Sequence, residues 1–139
     1  MRGRRIAFDY GDVRTGVALC DADAILCSPL CVLQSRDKGF LTEVVALITE
    51  HQPIQIFIGL PINMSGTEGK SVEKVREFAR SLAELVTTPI SMVDERLSTV
   101  SAQKQLKEAG VSSRDSKSLI DAMAAVAILE QGLLRENLE

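Results

Sequence analysis

Histidine and cysteine are scarce in this chain, one of the former and three of the latter, and neither is arranged for metal or redox chemistry. Cys20, Cys27 and Cys31 lie in apolar, strand-like stretches away from His51, and their odd number and spacing favour reduced thiols in a core over a disulfide framework or a zinc site. His51 falls near the end of an expected helix, ahead of Pro53, and is assigned no chemistry. Long apolar runs are missing as well. Nothing approaches the roughly 20 residues of a membrane span, and Met1-Arg2-Gly3-Arg4-Arg5 leads into a short strand-like segment rather than a secretory leader, so a cytoplasmic location is expected. There is no surplus of positive charge: 16 basic against 19 acidic residues leave a net charge of −3. That excludes a protein that wraps a long stretch of nucleic-acid backbone by charge alone.

What is there is a chain of 139 residues with 45% hydrophobic content, enough for a real core and read as one domain over 1–139. Residues 4–9, 14–20 and 25–33 read as three short strands separated by Gly11-Asp12-Val13 and Asp21-Ala22-Asp23-Ala24, connections short enough for antiparallel hairpins. Apolar residues from Phe40 to Ile48 recur at helical spacing, and Pro53 marks the end of that segment. A buried strand over 54–60 precedes the loop Pro61 to Thr67. An amphipathic helix over about 68–86 follows, with Val72, Val75, Ala79 and Leu82 on its inner face. Ile90 to Val93 forms the last strand. A helix from about Ser98 to Ala109 stops at Gly110, and a final alanine-rich helix begins near Ser116 or Lys117. The order βββαβαβαα predicts an α/β fold of RNase H-like type: a mixed five-stranded sheet, three antiparallel strands and then crossover strands, flanked by helices. The first strand is then central.

Three carboxylates stand where apolar sequence should not tolerate them. Asp9 ends Ile6-Ala7-Phe8, Glu95 follows the last strand, and Asp121 is the only charged residue in the run Leu119 to Leu129. An ionised carboxylate taken out of water must shift its pKa, meet a cation or accept several hydrogen bonds. One divalent ion shared by all three answers the problem for each, and the small Ala122, Ala124 and Ala125 allow the last helix to approach the sheet. The competing reading is that an individual acid is only a helix cap or an ion-pair partner, and that the alanines serve helix propensity and packing.

Four blocks in order, Asp9-Tyr10-Gly11, Gly59 to Glu68, Asp94-Glu95-Arg96-Leu97-Ser98-Thr99 and Asp121-Ala122-Met123-Ala124-Ala125, resemble the motifs of the YqgF (RuvX-like) family across nearly the whole chain. The resemblance implies an RNase H-like fold, kinship with Holliday-junction resolvases, and nuclease action at the 5′ end of pre-16S ribosomal RNA. It maps Asp9, Glu95 and Asp121 onto the proposed catalytic acids. Related resolvases generally place another aspartate one helical turn after the last acid. Here that position is Ala124, so a complete four-carboxylate site is not visible, and one tight metal with a second arriving on substrate phosphate is favoured over two tightly bound metals. Asp94 should point to the opposite face from Glu95, in a structural role.

Oxygen ligands without a His/Cys cluster suit Mg²⁺ or Mn²⁺, which can activate water and offset charge in phosphodiester hydrolysis, with Asp9 as the bridging ligand. Candidate phosphate contacts are Arg14, Arg96, Lys117 and the loop residues Ser65, Gly66 and Thr67, whose backbone N–H groups precede a helix. Lys70 and Lys74 share a helical face with Glu73 and Glu77, which reads as a solvated ion-pair surface. The expected partner is structured nucleic acid, pre-ribosomal RNA ahead of branched DNA, with ribosomal particles as a further partner and a monomer or weak homodimer as the state. Two other readings stay open. Asp9 to Gly16 also resembles the first phosphate loop of actin-like ATP-binding proteins, and the fold could serve as a non-catalytic adaptor.

Overall fold

Ile6, Ala7 and Phe8 are fully buried although their side chains alternate between two faces, which is the pattern of a strand with neighbours on both sides and layers above and below it. In the computed structural model, which describes residues 2–61, 69–95 and 114–138, this segment is β1 (Arg5–Asp9), the middle strand of a five-stranded sheet. β2 (Arg14–Cys20) and β3 (Cys27–Gln34) continue from it as an antiparallel meander. On the other side β4 (Gln55–Leu60) pairs parallel with β1, and β5 (Ile90–Asp94) pairs parallel with β4, giving the order β3-β2-β1-β4-β5. The mixed sheet and its central first strand match the expectation from sequence. The helix expected from Ser98 to Ala109 lies outside the described residues.

Alternation along the strands sorts the core into two layers. Ile6, Phe8, Val17, Ile56 and Ile58 face α1 (Phe40–His51) and α2 (Lys70–Ala83), which bury Phe40, Val44 and Ile48 and Val72, Val75, Phe78 and Leu82 against them. Tyr10 stacks on Phe78 with ring centroids 4.9 Å apart, closing this layer where β1 ends. α1 ends at Gln52, whose left-handed backbone (φ 47°) returns its N–H to the Ile48 carbonyl just ahead of Pro53. On the other face Ala7, Ala18, Cys20, Phe57 and Val93 receive α3 (Arg114–Leu138) through Ala124, Ala125, Ile128, Leu129 and Leu133.

Glycines and alanines at the contact set how close α3 comes to the sheet. A Cβ on Gly132 would stand 2.7 Å from the Phe57 ring, and one on Gly16 would run into the carbonyl of Asp121. The helix therefore lies directly on the sheet backbone. Because β1, β4 and β5 run in the same direction, their carboxyl ends share one edge of the sheet, where open α/β sheets place their ligand sites. No helix among the described residues is long and apolar enough to cross a membrane.

Candidate active site

Asp9 and Glu95 sit at the ends of strands that aim them at the α3 side of that edge, and Asp121 comes from within α3. Asp9 closes β1 directly opposite Gly16 of β2, so the two point to the same face, the one on which Ala7 packs against α3. Val93 faces α3, and Glu95, two residues on, returns to the same side. Asp94, level with Leu60, is turned to the α1/α2 side. Asp121 projects from α3, whose backbone rests on Gly16. The three acids are only 6%, 4% and 6% exposed, respectively.

Two glycines let α3 come close to the sheet beside them. Beyond Gly16, a Cβ on Gly59 would stand 3.0 Å from Glu95 Oε1 and would also collide with Ile128. One step past the Phe8–Ile58 pair, the parallel register brings Gly59 level with Asp9. A side chain at either glycine would push the helix away. Glycine inside a strand is the sequence sign of such a close approach.

A cation already touches the site. Arg14, two residues before Gly16 and on the same face, donates from Nε to Asp121 Oδ2 at 2.7 Å. Among the described residues no three His, Cys, Asp or Glu side chains are gathered into a group ready to hold a metal ion. The acids share a face without forming a closed cage. Of the expected phosphate contacts, Arg14 is at the site. Ser65, Gly66, Thr67 and Arg96 lie outside the described residues, as does the side chain of Lys117, which α3 carries one turn before Asp121. Lys74 does not stay on an α2 ion-pair face; its ammonium reaches Asp12 in the β1–β2 turn at 2.9 Å. A groove of about 730 Å³ along α2, lined by Lys70, Glu73, Arg76 and Arg80, lies across the sheet from the carboxylates.

The comparisons with known proteins agree with this architecture. A family model described as "RuvX: Holliday junction resolvase" matches residues 3–135. The chain belongs to the RuvX family. A Streptomyces avermitilis protein named "Putative pre-16S rRNA nuclease" is 43% identical over 138 residues, covering 98% of this chain and 88% of its own. A Mycobacterium tuberculosis H37Rv protein of the same name is 42% identical over 134 residues, covering 95% and 79%. Among solved structures, Thermus thermophilus RuvC in complex with a Holliday junction superposes with a TM-score of 0.60 at 11% identity, covering 96% of this chain and 95% of that one. At that identity the likeness speaks for the RNase H-like fold. Membership makes this RuvX-family chain a hydrolase of nucleic-acid phosphodiester bonds.

The donor chemistry of the RuvX-family site, carboxylate oxygens only and nearly sealed from water, is of the kind that suits a hard divalent cation, while the three acids are not gathered into a ready-made metal group among the described residues. Sequence reasoning missed the Arg14–Asp121 pair and the two glycines. The glycines were signalled by their place inside strands. The ion pair joins residues 107 positions apart and has no local signature.

Proposed function

We propose that this RuvX-family protein is a divalent-metal-dependent endonuclease that cleaves pre-16S ribosomal RNA at its 5′ end, with Asp9, Glu95 and Asp121 as both metal ligands and catalytic acids. The observation that supports it is the placing of three buried carboxylates, from three separate elements, on one face of one sheet edge beside Gly16 and Gly59. A structural role gives no reason to concentrate so much negative charge where water is excluded. The relatives' shared name supplies the RNA substrate.

When bound, Mg²⁺ or Mn²⁺ supplies an activated water and neutralises charge on the reacting phosphate. The chain's own residues do the rest. Asp9, at the end of the central strand, would hold the cation together with Glu95 and Asp121. The shared burial of all three keeps bulk water from competing for their oxygens and strengthens their hold on a cation. Arg14 orients the scissile phosphate, and Arg96, Lys117 and the Ser65-Gly66-Thr67 loop hold the flanking backbone. The protein works in the cytoplasm on precursor particles or free precursor, as a monomer or weak homodimer of one domain.

The decisive assay is cleavage, with Mn²⁺, of a pre-16S 5′ fragment and of a four-way DNA junction, run beside Asp9→Asn and Asp121→Asn. The RNA fragment should be cut by the wild type and by neither variant. Cleavage confined to the junction would move the substrate to branched DNA, the reading the family model's description favours. Equal cleavage by wild type and variants would remove the three acids from the chemistry.

A further inference from the structure

We infer that Arg14 is the resident counter-cation of the metal-free site, holding Asp121 until a divalent ion takes its place and then turning to the substrate's phosphate. The inference rests on the metal-site reading above and adds a coupling to it: cation and nucleic acid bind cooperatively because both compete with, or are served by, the same guanidinium.

Geometry and exposure carry the argument. The Nε to Oδ2 separation of 2.7 Å is a full charge-assisted hydrogen bond, so Arg14 engages one oxygen of Asp121. The two partners are not equally committed. The Asp121 side chain is 8% exposed and fixed on a helix that Gly16 pins to the sheet, whereas Arg14 is 24% exposed. Its backbone stands at the first position of β2, beside the open turn over 10–13. If the pair opens, the arginine is the member that can move, since its head has water to move into.

A hard cation bonded to Asp121 takes the lone pairs that Arg14 uses and repels the guanidinium at contact distance. The ion pair and the metal are therefore alternatives on one carboxylate. Once displaced, Arg14 stays tethered by the pairing of its backbone with Gln34, within a side chain's length of the site. A planar fork of donors at that point suits a phosphate oxygen pair. By linkage, a phosphate that holds Arg14 away from Asp121 raises metal affinity, and metal raises affinity for the phosphate by the same factor.

The test uses the full chain and Mn²⁺ alone, by calorimetry, for wild type, Arg14→Gln, Arg14→Lys and Asp9→Asn, each checked for folding by circular dichroism. Removing the resident cation should tighten Mn²⁺ binding by about fivefold in Arg14→Gln, a coupling of ordinary size. With Ca²⁺ present, binding of the pre-16S 5′ fragment should weaken in the same variant. A merely structural arginine would move both affinities downward, so the opposite signs are the signature. Arg14→Lys, whose point charge grips one oxygen less firmly, should tighten Mn²⁺ binding by about twofold and serves if the glutamine variant does not fold. Mn²⁺ affinity unchanged or weakened in a folded Arg14 variant, while wild type binds and Asp9→Asn does not, overturns this inference alone. No Mn²⁺ binding by wild type, or equal binding by Asp9→Asn, overturns the metal site and this inference with it.

Discussion

Arg5 is the clearest case of how a charge is kept inside this core. Its guanidinium, 5% exposed, meets Glu136 of α3 twice, Nε to Oε2 at 3.3 Å and Nη2 to Oε1 at 3.1 Å, and gives Nη1 to the Gly3 carbonyl at 2.6 Å. Glu136→Ala leaves that guanidinium buried and short of its carboxylate. Breaking a fully buried pair costs about 3–5 kcal/mol, and because Glu136 is 34% exposed the loss should be smaller, about 1–3 kcal/mol by denaturant unfolding. Arg5→Met should be milder than Glu136→Ala, since it removes the charge along with its need for a partner. The thiols titrate in the opposite sense to a carboxylate held by a cation. Burial, with Cys20 and nearby acids behind it, pushes Cys27 from an ordinary 9.0 up to about 11, and burial also raises Cys20 and Cys31. Above pH 9 the unfolded chain gives up its thiol proton first, so stability should fall as pH rises from about 9 through 11. Melting temperatures at pH 8 and pH 10.5 check this, and replacing Cys27 with Ser should flatten the difference. The three acids were legible in sequence because an ionised group in an apolar run contradicts its surroundings. Their neighbour Arg14 was legible only as a candidate for phosphate, since nothing local ties it to a helix at the far end of the chain.

At the scale of elements, the contact between α3 and β2 decides the shape of the site. Gly16→Ala puts a methyl into the Asp121 carbonyl, a backbone atom that can move only with the helix. Overpacking of this kind costs about 1–3 kcal/mol or more, and here it should also weaken Mn²⁺ binding because it lifts Asp121 off the sheet. A variant that melts lower yet binds Mn²⁺ as well as wild type would separate the helix contact from the site. Elements with strong periodicity were readable: α1 and α2 fall where Val44 and Ile48, and Val72, Val75 and Leu82, repeat. Their ends were less so, α2 running Lys70–Ala83 where 68–86 was expected. β3 starts at Cys27 rather than at residue 25 for a physical reason. Asp21 Oδ1 accepts from the N–H groups of Ile25 and Leu26 at 2.8 and 3.2 Å and holds them in the turn, where both apolar side chains are exposed. Apolar identity suggested a strand, and turn chemistry from four residues upstream prevailed. α3 begins at Arg114, earlier than the expected 116 or 117, and leaves Leu134 exposed near its end while Leu133 is buried.

For the whole molecule, charge sets the terms on which nucleic acid is met. A net charge of −3, with three acids concentrated at the site, should make RNA binding weak in EDTA and dependent on a divalent ion for more than chemistry. With Ca²⁺ present, the slope of log affinity against log salt should be shallow, no steeper than about −3, reflecting a few phosphate contacts rather than a wrapped backbone. A slope near −8 would require a basic surface that this composition does not supply. The meander and the central first strand were legible from connection lengths and the RNase H-like pattern; the expected placing of Glu95 on a strand next to β1 was not met, because β4 lies between β1 and β5, although both still end at one edge. How closely α3 approaches the sheet was not legible, because it depends on two glycines meeting a helix that is remote in sequence. The central claim is that Asp9, Glu95 and Asp121 hold one shared cation, and anomalous diffraction from crystals soaked in Mn²⁺ addresses it most directly. A peak within coordination distance of all three carboxylates is the predicted result. A site saturated with Mn²⁺ that shows no peak there, or one bound by other residues, would contradict it.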